Sequence, residues 1–446
     1  MQDSKGSNGA DSFYKVVVDF GKVGHEAPPR LSVHERDKIR DLQDDVEYYE
    51  PQLEKETALG CAFGHFEWFV GLPWPYWLLR PLRWFRQTFL HKRRAGRKLM
   101  ACHALPKATD NSTLAFADDF FLFDRLSLIY GGQFRGSIVV NYVLGILASG
   151  ILVFSLTIGS EWLRADALAP YRYFPTIFSL FELFCLVLIG YIYCTGATPE
   201  TEEHRPSWAP GWTWQRWHQR WLEYRLLAER FRYLDLLLPF GENEATGISI
   251  APGGEAATMW HQRYFEWRIA KTKAATIGMA DYCQHVTAVM IAQERYHAHN
   301  YLRRGTIADG LHALAVRMFL FGLLLCIVNF CIEAYSGFCS HCASEKLELW
   351  RHWIVFLAAL LPILSAAIHG ILANTEYTKV ADTSGEVAHR IYKLVDQFSA
   401  VPVPADWEDE NALVPTRNVV REFVELVINE ATGWRAMLRD KNVPLA

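Results

Sequence analysis

Along this chain apolar blocks alternate with strongly charged ones. Four of the apolar blocks are each long enough to cross a hydrocarbon core of about 30 Å as a helix rising about 1.5 Å per residue. They cover residues 137–158, 174–194, 318–335 and 353–372. The third is short for a span and reaches across only because its helix continues at both ends. The pattern predicts an all-α membrane protein with four transmembrane helices and long cytosolic helical extensions.

The extensions follow from where helix breakers are missing. Asp281–Tyr335 runs without a proline from a charged, His-rich stretch into the third span, so one rigid rod joins water to lipid. Gly305 and Gly310 lie between its polar half and its span and are its expected bending points. The fourth span contains Pro362, which removes an amide donor and is a candidate hinge. Beyond it, ANTEYTKVADTSGEVAHRIYKLVDQF continues as a helix antiparallel to the rod, VPVPAD ends that helix, and a last one is expected from about Arg417 to Arg439. Together these pieces predict a bundle beneath the membrane.

The connection between the second and third spans contains TWQRWHQRWLEYRLLAERFRYLDLLL. Trp214, Trp217, Trp221 and Tyr224 recur at three- and four-residue spacing, forming one face for packing against another helix or a partner. Arg216, Arg220 and Arg225 flank that face, placed to stack on rings or to reach phosphate headgroups. Gly247–Gly254 matches no phosphate-binding loop and reads as a turn.

The chain divides into six regions. Residues 1–57 are polar, with a β-like run at Tyr14–Phe20 and an acidic helical piece, and no cleavable signal peptide is expected there. Residues 58–100 are aromatic and basic; Pro73 and Pro75 argue against a span, leaving an interfacial segment or a buried core element. Residues 101–196 hold the first helical pair, 197–315 the middle segment, 316–375 the second pair and 376–446 the C-terminal helices.

Composition refines this picture in two places. Hydrophobic residues make up 51% of the chain and aromatics 14%, enough to supply interfacial Trp and Tyr. The formal net charge of -4 offers no global attraction for nucleic acid. Lys and Arg are sparse between spans one and two and between three and four, but dense from Arg205 to Arg317. The positive-inside rule then places both termini and the middle segment in the cytoplasm of a cell whose inner membrane holds the spans.

Polar residues inside the apolar blocks are the candidate site. Glu182, Asn141, Asn329, Glu333 and His369 lie in or near spans, where a carboxylate costs on the order of 2.5 to 3.5 kcal/mol at the bilayer centre. They read either as the lining of a polar path or as interhelical hydrogen-bonding groups. Gly145 with Ser149, and Ala366 with Gly370, would allow close helix approach. Cys339-Ser-His341-Cys342 supplies too few ligands for a closed metal site and reads as a disulfide or two free thiols. His297 and His299 diverge on a helix and read as polar surface. No nucleophile, metalloprotease or kinase signature occurs, so neither an enzyme nor a cofactor is expected.

The runs FADDFFLFDRLSLIYGGQFRGSIVVNYVLG, WHQRWLEYRLLAERFR, ERYHAHNYLRR and EATGWRAMLRD resemble the C-terminal membrane module of prokaryotic proteins that carry a SLOG domain of the TRPM type. The layout is also similar to SLATT and other four-span effectors of bacterial conflict systems. The resemblance covers roughly residues 105–440 and is most specific from Trp217 to Glu229. It implies a pore-forming or membrane-disrupting effector, oligomeric, triggered through a sensor of a nucleotide-derived signal. The first 100 residues do not have the pattern of a SLOG domain, so a separate sensor protein, that region or the bundle would receive the signal. The alternatives are a constitutive channel or transporter, supported by the intramembrane carboxylates, and a scaffold recruiting a partner through the Trp face.

Overall fold

In a computed structural model the chain is described over residues 58–71, 117–159, 174–196, 216–240, 264–265, 268, 277–338, 345–405 and 407–438. Every extended element there is helical: α1 (Ala58–Gly71), α2 (Ala117–Phe154), α3 (Phe174–Gly196), α4 (Trp217–Leu237), α5 (Met279–Phe338), α6 (Glu345–Thr375), α7 (Tyr377–Ala400) and α8 (Glu410–Leu438). Four helices are long and apolar enough to cross a membrane: α2, α3, α5 and the continuous α6–α7 rod. Residues 1–57, Trp214, the Gly247–Gly254 turn and the Cys339–Cys342 segment lie outside the described residues.

The helices sort into two levels. In the polar layer, α4, α7 and α8 pack with the first turns of α5 around Tyr282, Val286, Met290, Ile391, Phe423 and Val424. There α7 buries one stripe, Val380, Ser384, Val387, Ile391, Leu394 and Phe398, at the spacing of one helical face. In the apolar band the same kinds of side chain turn outward. Leu180, Leu183, Val187, Leu320, Leu324 and Phe330 are each about half exposed or more. Exposure of large apolar groups on this scale, concentrated in the spans though also found at Phe121, Leu128, Leu302 and Val403, is the signature of a surface covered by lipid. Tyr191, Tyr335, Trp350 and Trp353 are exposed among them, as interfacial aromatics are.

Three rods tie the levels together. Sixty residues make α5 about 90 Å long, and it continues unbroken through Gly305 and Gly310. The helix of span one begins at Ala117, twenty residues before the apolar run, because α4 packs along its polar half and holds ADDFFLFDRLSLIYGGQFRG helical despite its charges and glycines. The fourth span continues into α7 through Glu376, and α7 lies along α5 in the most extensive helix pairing of the fold. Glu376 is a break that the sequence does not announce: it adopts φ 53°, ψ 29° in the left-handed region, where a non-glycine residue costs on the order of 1 kcal/mol or more. Its carbonyl still accepts the Val380 amide and its carboxylate meets Lys379 at 3.4 Å. Glu376→Gly is therefore expected to stabilise the chain by about 1 kcal/mol, read as a rise in thermal midpoint in detergent.

Two expectations shift at the edges. Residues 58–71 form α1, which packs on α2 so closely that a Cβ on Gly136 would overlap the Leu59 backbone. Phe63 and Phe66 join a buried cluster with Ile307, Leu311 and Tyr377. This part of the aromatic segment is therefore an element of the core. The last helix starts at Glu410, earlier than Arg417, where the Asp409 carboxylate caps it by accepting the Ala412 amide at 3.1 Å; Pro415 lies within it.

Candidate functional site

The aromatic face of α4 is buried against the polar half of α2. Trp217 and Tyr224 are nearly inaccessible, and Tyr224 lies against Phe123 and Tyr130 at ring distances of 6.1 and 5.8 Å. Trp221 covers Gly131, where a Cβ would come within 2.8 Å of its indole nitrogen. Arg135 is held between two rings, 5.2 Å above Trp221 and 5.0 Å above Phe63 of α1. Arg220 donates to the Tyr130 hydroxyl at 2.9 Å. The described part of the aromatic stripe, Trp217, Trp221 and Tyr224, is thus spent within the chain on joining α4 to α2.

One face further round, charged groups from four helices converge. Arg225 of α4 bonds Asp124 of α2 at 3.0 Å and closes on Glu229 one turn along. Arg232 reaches Glu229 at 3.2 Å and Asp124 at 3.9 Å. His297 of α5 lies beside them, with its Nδ1 3.9 Å from Glu430 of α8 and without a hydrogen bond. Burial alone would lower the Arg225 pKa; the neighbouring Glu229, with Tyr296, Asp124 and Tyr233, more than offsets it and raises the pKa. His297 is pushed down to about 4, first by burial, with Arg225 and Arg232 adding to the effect and Glu229 opposing it.

That shift has a pH signature. Unfolded His297 protonates near its ordinary value of 6.5, while the folded group resists until about 4. Stability from the neutral ring is complete above about 6.5 and falls as pH drops toward 4, by on the order of 3 kcal/mol. His297→Asn should flatten that slope in denaturation measured between pH 7 and 4.

A second buried pair ties the segment before α5 to the start of α2. Asp119, fully buried, accepts from Arg268 Nε on both oxygens at 3.0 and 2.9 Å and from the Tyr264 hydroxyl at 3.2 Å. The Tyr264 pKa is raised, chiefly by burial and then by Asp119.

The polar residues of the spans do not form one cluster. Glu182 lies half-buried on the stripe of α3 that faces α2, in line with Cys185 and Ile189. The contact of Phe178 with Phe154 at 5.7 Å sets an antiparallel register that aligns Glu182 with Gly150. Asn141, fully buried in α2, lies nine residues from Gly150, about 13 Å along the axis. The other three share the α5–α6 contact. Glu333 pairs with Arg351 at 2.7 Å. Asn329 has a buried Oδ1 that accepts no hydrogen bond from the described residues. His369 bonds the Ser365 carbonyl oxygen through Nδ1 at 3.0 Å, and its ring meets His312 at 5.6 Å. His312 was not singled out by sequence, because only the antiparallel register brings it to His369. Pro362 lies against Gly322, where a Cβ would come within 3.0 Å of its ring. Near the other end of the span, Gly370 is covered by the Tyr142 ring, and Asn374 donates to the Tyr142 hydroxyl at 3.0 Å.

No group of three or more potential metal ligands occurs among the described residues. A cleft of about 40 Å³ between α5 and α7, lined by Tyr301, Gly305, Asp309 and Asp382, has room for a few waters and none for a nucleotide. Comparison with protein-family models, curated proteins and solved structures found no match to this chain.

Proposed function

We propose that the chain is a membrane effector of a prokaryotic defence or stress system that converts a signal received by its polar helical layer into permeabilisation of the membrane. The observation that carries this reading is the continuity of α2, α5 and α6–α7 across both levels. A helix cannot stretch, so displacing its polar end moves its span. The layer also holds a cluster of partly buried charges, Arg225, Arg232, Asp124 and Glu229, carried on two helices, so a shift of α4 against α2 would change their pairing and with it the free energy. Any signal that binds one arrangement more tightly than the other shifts the spans.

The Lys and Arg distribution supports an inner-membrane protein with the polar layer and both termini in the cytoplasm. The defence setting, a homo-oligomeric assembly and a separate sensor of a nucleotide-derived signal rest on the resemblance of the Trp217–Glu229 run and its companions to effector modules. Recruitment of a partner through the aromatic face is disfavoured, since Trp217 and Tyr224 are buried against α2. The test is a voltage-sensitive dye in cells expressing the chain with and without its neighbouring genes. Depolarisation only on triggering supports an effector. Depolarisation without any trigger indicates a constitutive channel, and an unchanged potential after triggering rules the reading out.

A further inference from the structure

Resting on that reading, we infer that the permeation path runs along the contact between α5 and α6, closed in this arrangement where Gly322 meets Pro362. The register of the two helices is the starting point. Glu333 with Arg351 and Gly322 with Pro362 each sum to the same residue number, so the spans run antiparallel without slippage between those points. His312 with His369 extends the same pairing to the other end, displaced by about one turn.

At about 100° per residue, Cys326, Asn329 and Glu333 lie within about 40° of Gly322 around α5. On α6, Arg351, Ala358, Ser365 and His369 lie within about 60° of Pro362. The polar groups of these two spans therefore face each other, which packing alone does not require; lipid-facing positions such as Leu320, Leu324 and Ile327 are all apolar. Two atoms at mid-span want polar company: the buried Asn329 Oδ1, and the Ala358 carbonyl, from which Pro362 withholds the usual helical amide. Both are costly in a dry seam and satisfied in a wet one. The seam carries imidazoles at one mouth and an ion pair at the other. Between them it narrows to a glycine against a proline ring, with the Leu361 Cβ 3.3 Å from where a Cβ on Gly322 would stand. Parting α5 from α6 by a few ångströms there would admit water and small inorganic ions along groups already able to solvate them. Glu182, on α3 against α2, lies off this path.

Two native cysteines make the test. Cys326 borders the seam, about 40° around α5 from Gly322, and Cys331 lies about 180° from it; both are exposed on the apolar surface in this arrangement, so only an opened, water-filled seam distinguishes them. Two chains are compared, one keeping Cys326 alone and one keeping Cys331 alone, the other cysteines replaced. Intact cells are treated with a membrane-impermeant, positively charged thiol reagent while dye entry is followed. The expected result is that triggering accelerates modification of Cys326 at least tenfold and leaves Cys331 unchanged. Equal rates at both sites, or no acceleration at Cys326 while dye enters, would overturn the path and leave the effector reading standing. No dye entry on triggering would overturn both. As a second variant, Gly322→Leu forces the spans apart and should give dye entry without a trigger; a folded, correctly inserted Gly322→Leu protein that is silent and stays untriggerable at Cys326 counts against the gate.

Discussion

Asp119→Ala lowers the stability of the folded chain by about 3 to 5 kcal/mol, measured by denaturant unfolding in detergent. The carboxylate is fully buried and takes both the Arg268 guanidinium and the Tyr264 hydroxyl. Removing it deprives a largely buried cation of its counter-charge, and that exposed deficit, more than the lost bonds, sets the size of the effect. Replacing Asp119 and Arg268 together by leucine should recover most of the loss, since the uncompensated charge disappears with its partner. A double substitution as damaging as the single one would mean that the pair fixes the path of the chain between α4 and α5.

Glu229→Gln should cost about 3 kcal/mol at neutral pH by the same reasoning. The amide keeps the shape of the side chain but leaves Arg225 and Arg232 facing each other with only Asp124 between them. The Arg225 and Arg232 side chains keep 29% and 22% exposure, so water relieves part of the repulsion and the effect stays at the lower end of the range. His297 gives an independent check. Glu229 raises its pKa, so the substitution should push it further below about 4, visible by NMR titration of the ring.

The levels of this fold are legible in the sequence because a bilayer imposes length and composition together, and residues such as those from Phe174 to Cys194 satisfy both. The α5 rod and its antiparallel companion α7 are legible for a related reason: no proline interrupts either, and the apolar stripe of α7 repeats at helical spacing. Register is not legible. Gly131, Gly322 and Gly370 look alike as residues, and only the folded chain shows that each receives a ring, from Trp221, Pro362 and Tyr142. Gly385, which receives Tyr301 at 2.9 Å, carried no signal at all. The break at Glu376 was hidden because glutamate is an ordinary helix former, so its left-handed backbone is imposed by the packing on either side. The candidate site divided along the same line: single polar residues in spans are visible one by one, but that Asn329, Glu333 and His369 share a seam while Glu182 and Asn141 do not depends on which helices become neighbours.

If the polar layer moves the spans through α5 and α7, locking those two helices together must abolish the response. Gly385 and Tyr301 lie close enough for a disulfide, the Tyr301 Cγ being 3.3 Å from where a Cβ on Gly385 would stand. In a chain otherwise free of cysteine, Tyr301→Cys with Gly385→Cys is oxidised in cells by a membrane-permeant oxidant, and membrane potential is followed on triggering. The cross-linked protein should leave the potential intact, and reduction should restore depolarisation. Depolarisation of the same size and speed with the cross-link complete would contradict transmission through α5 and α7.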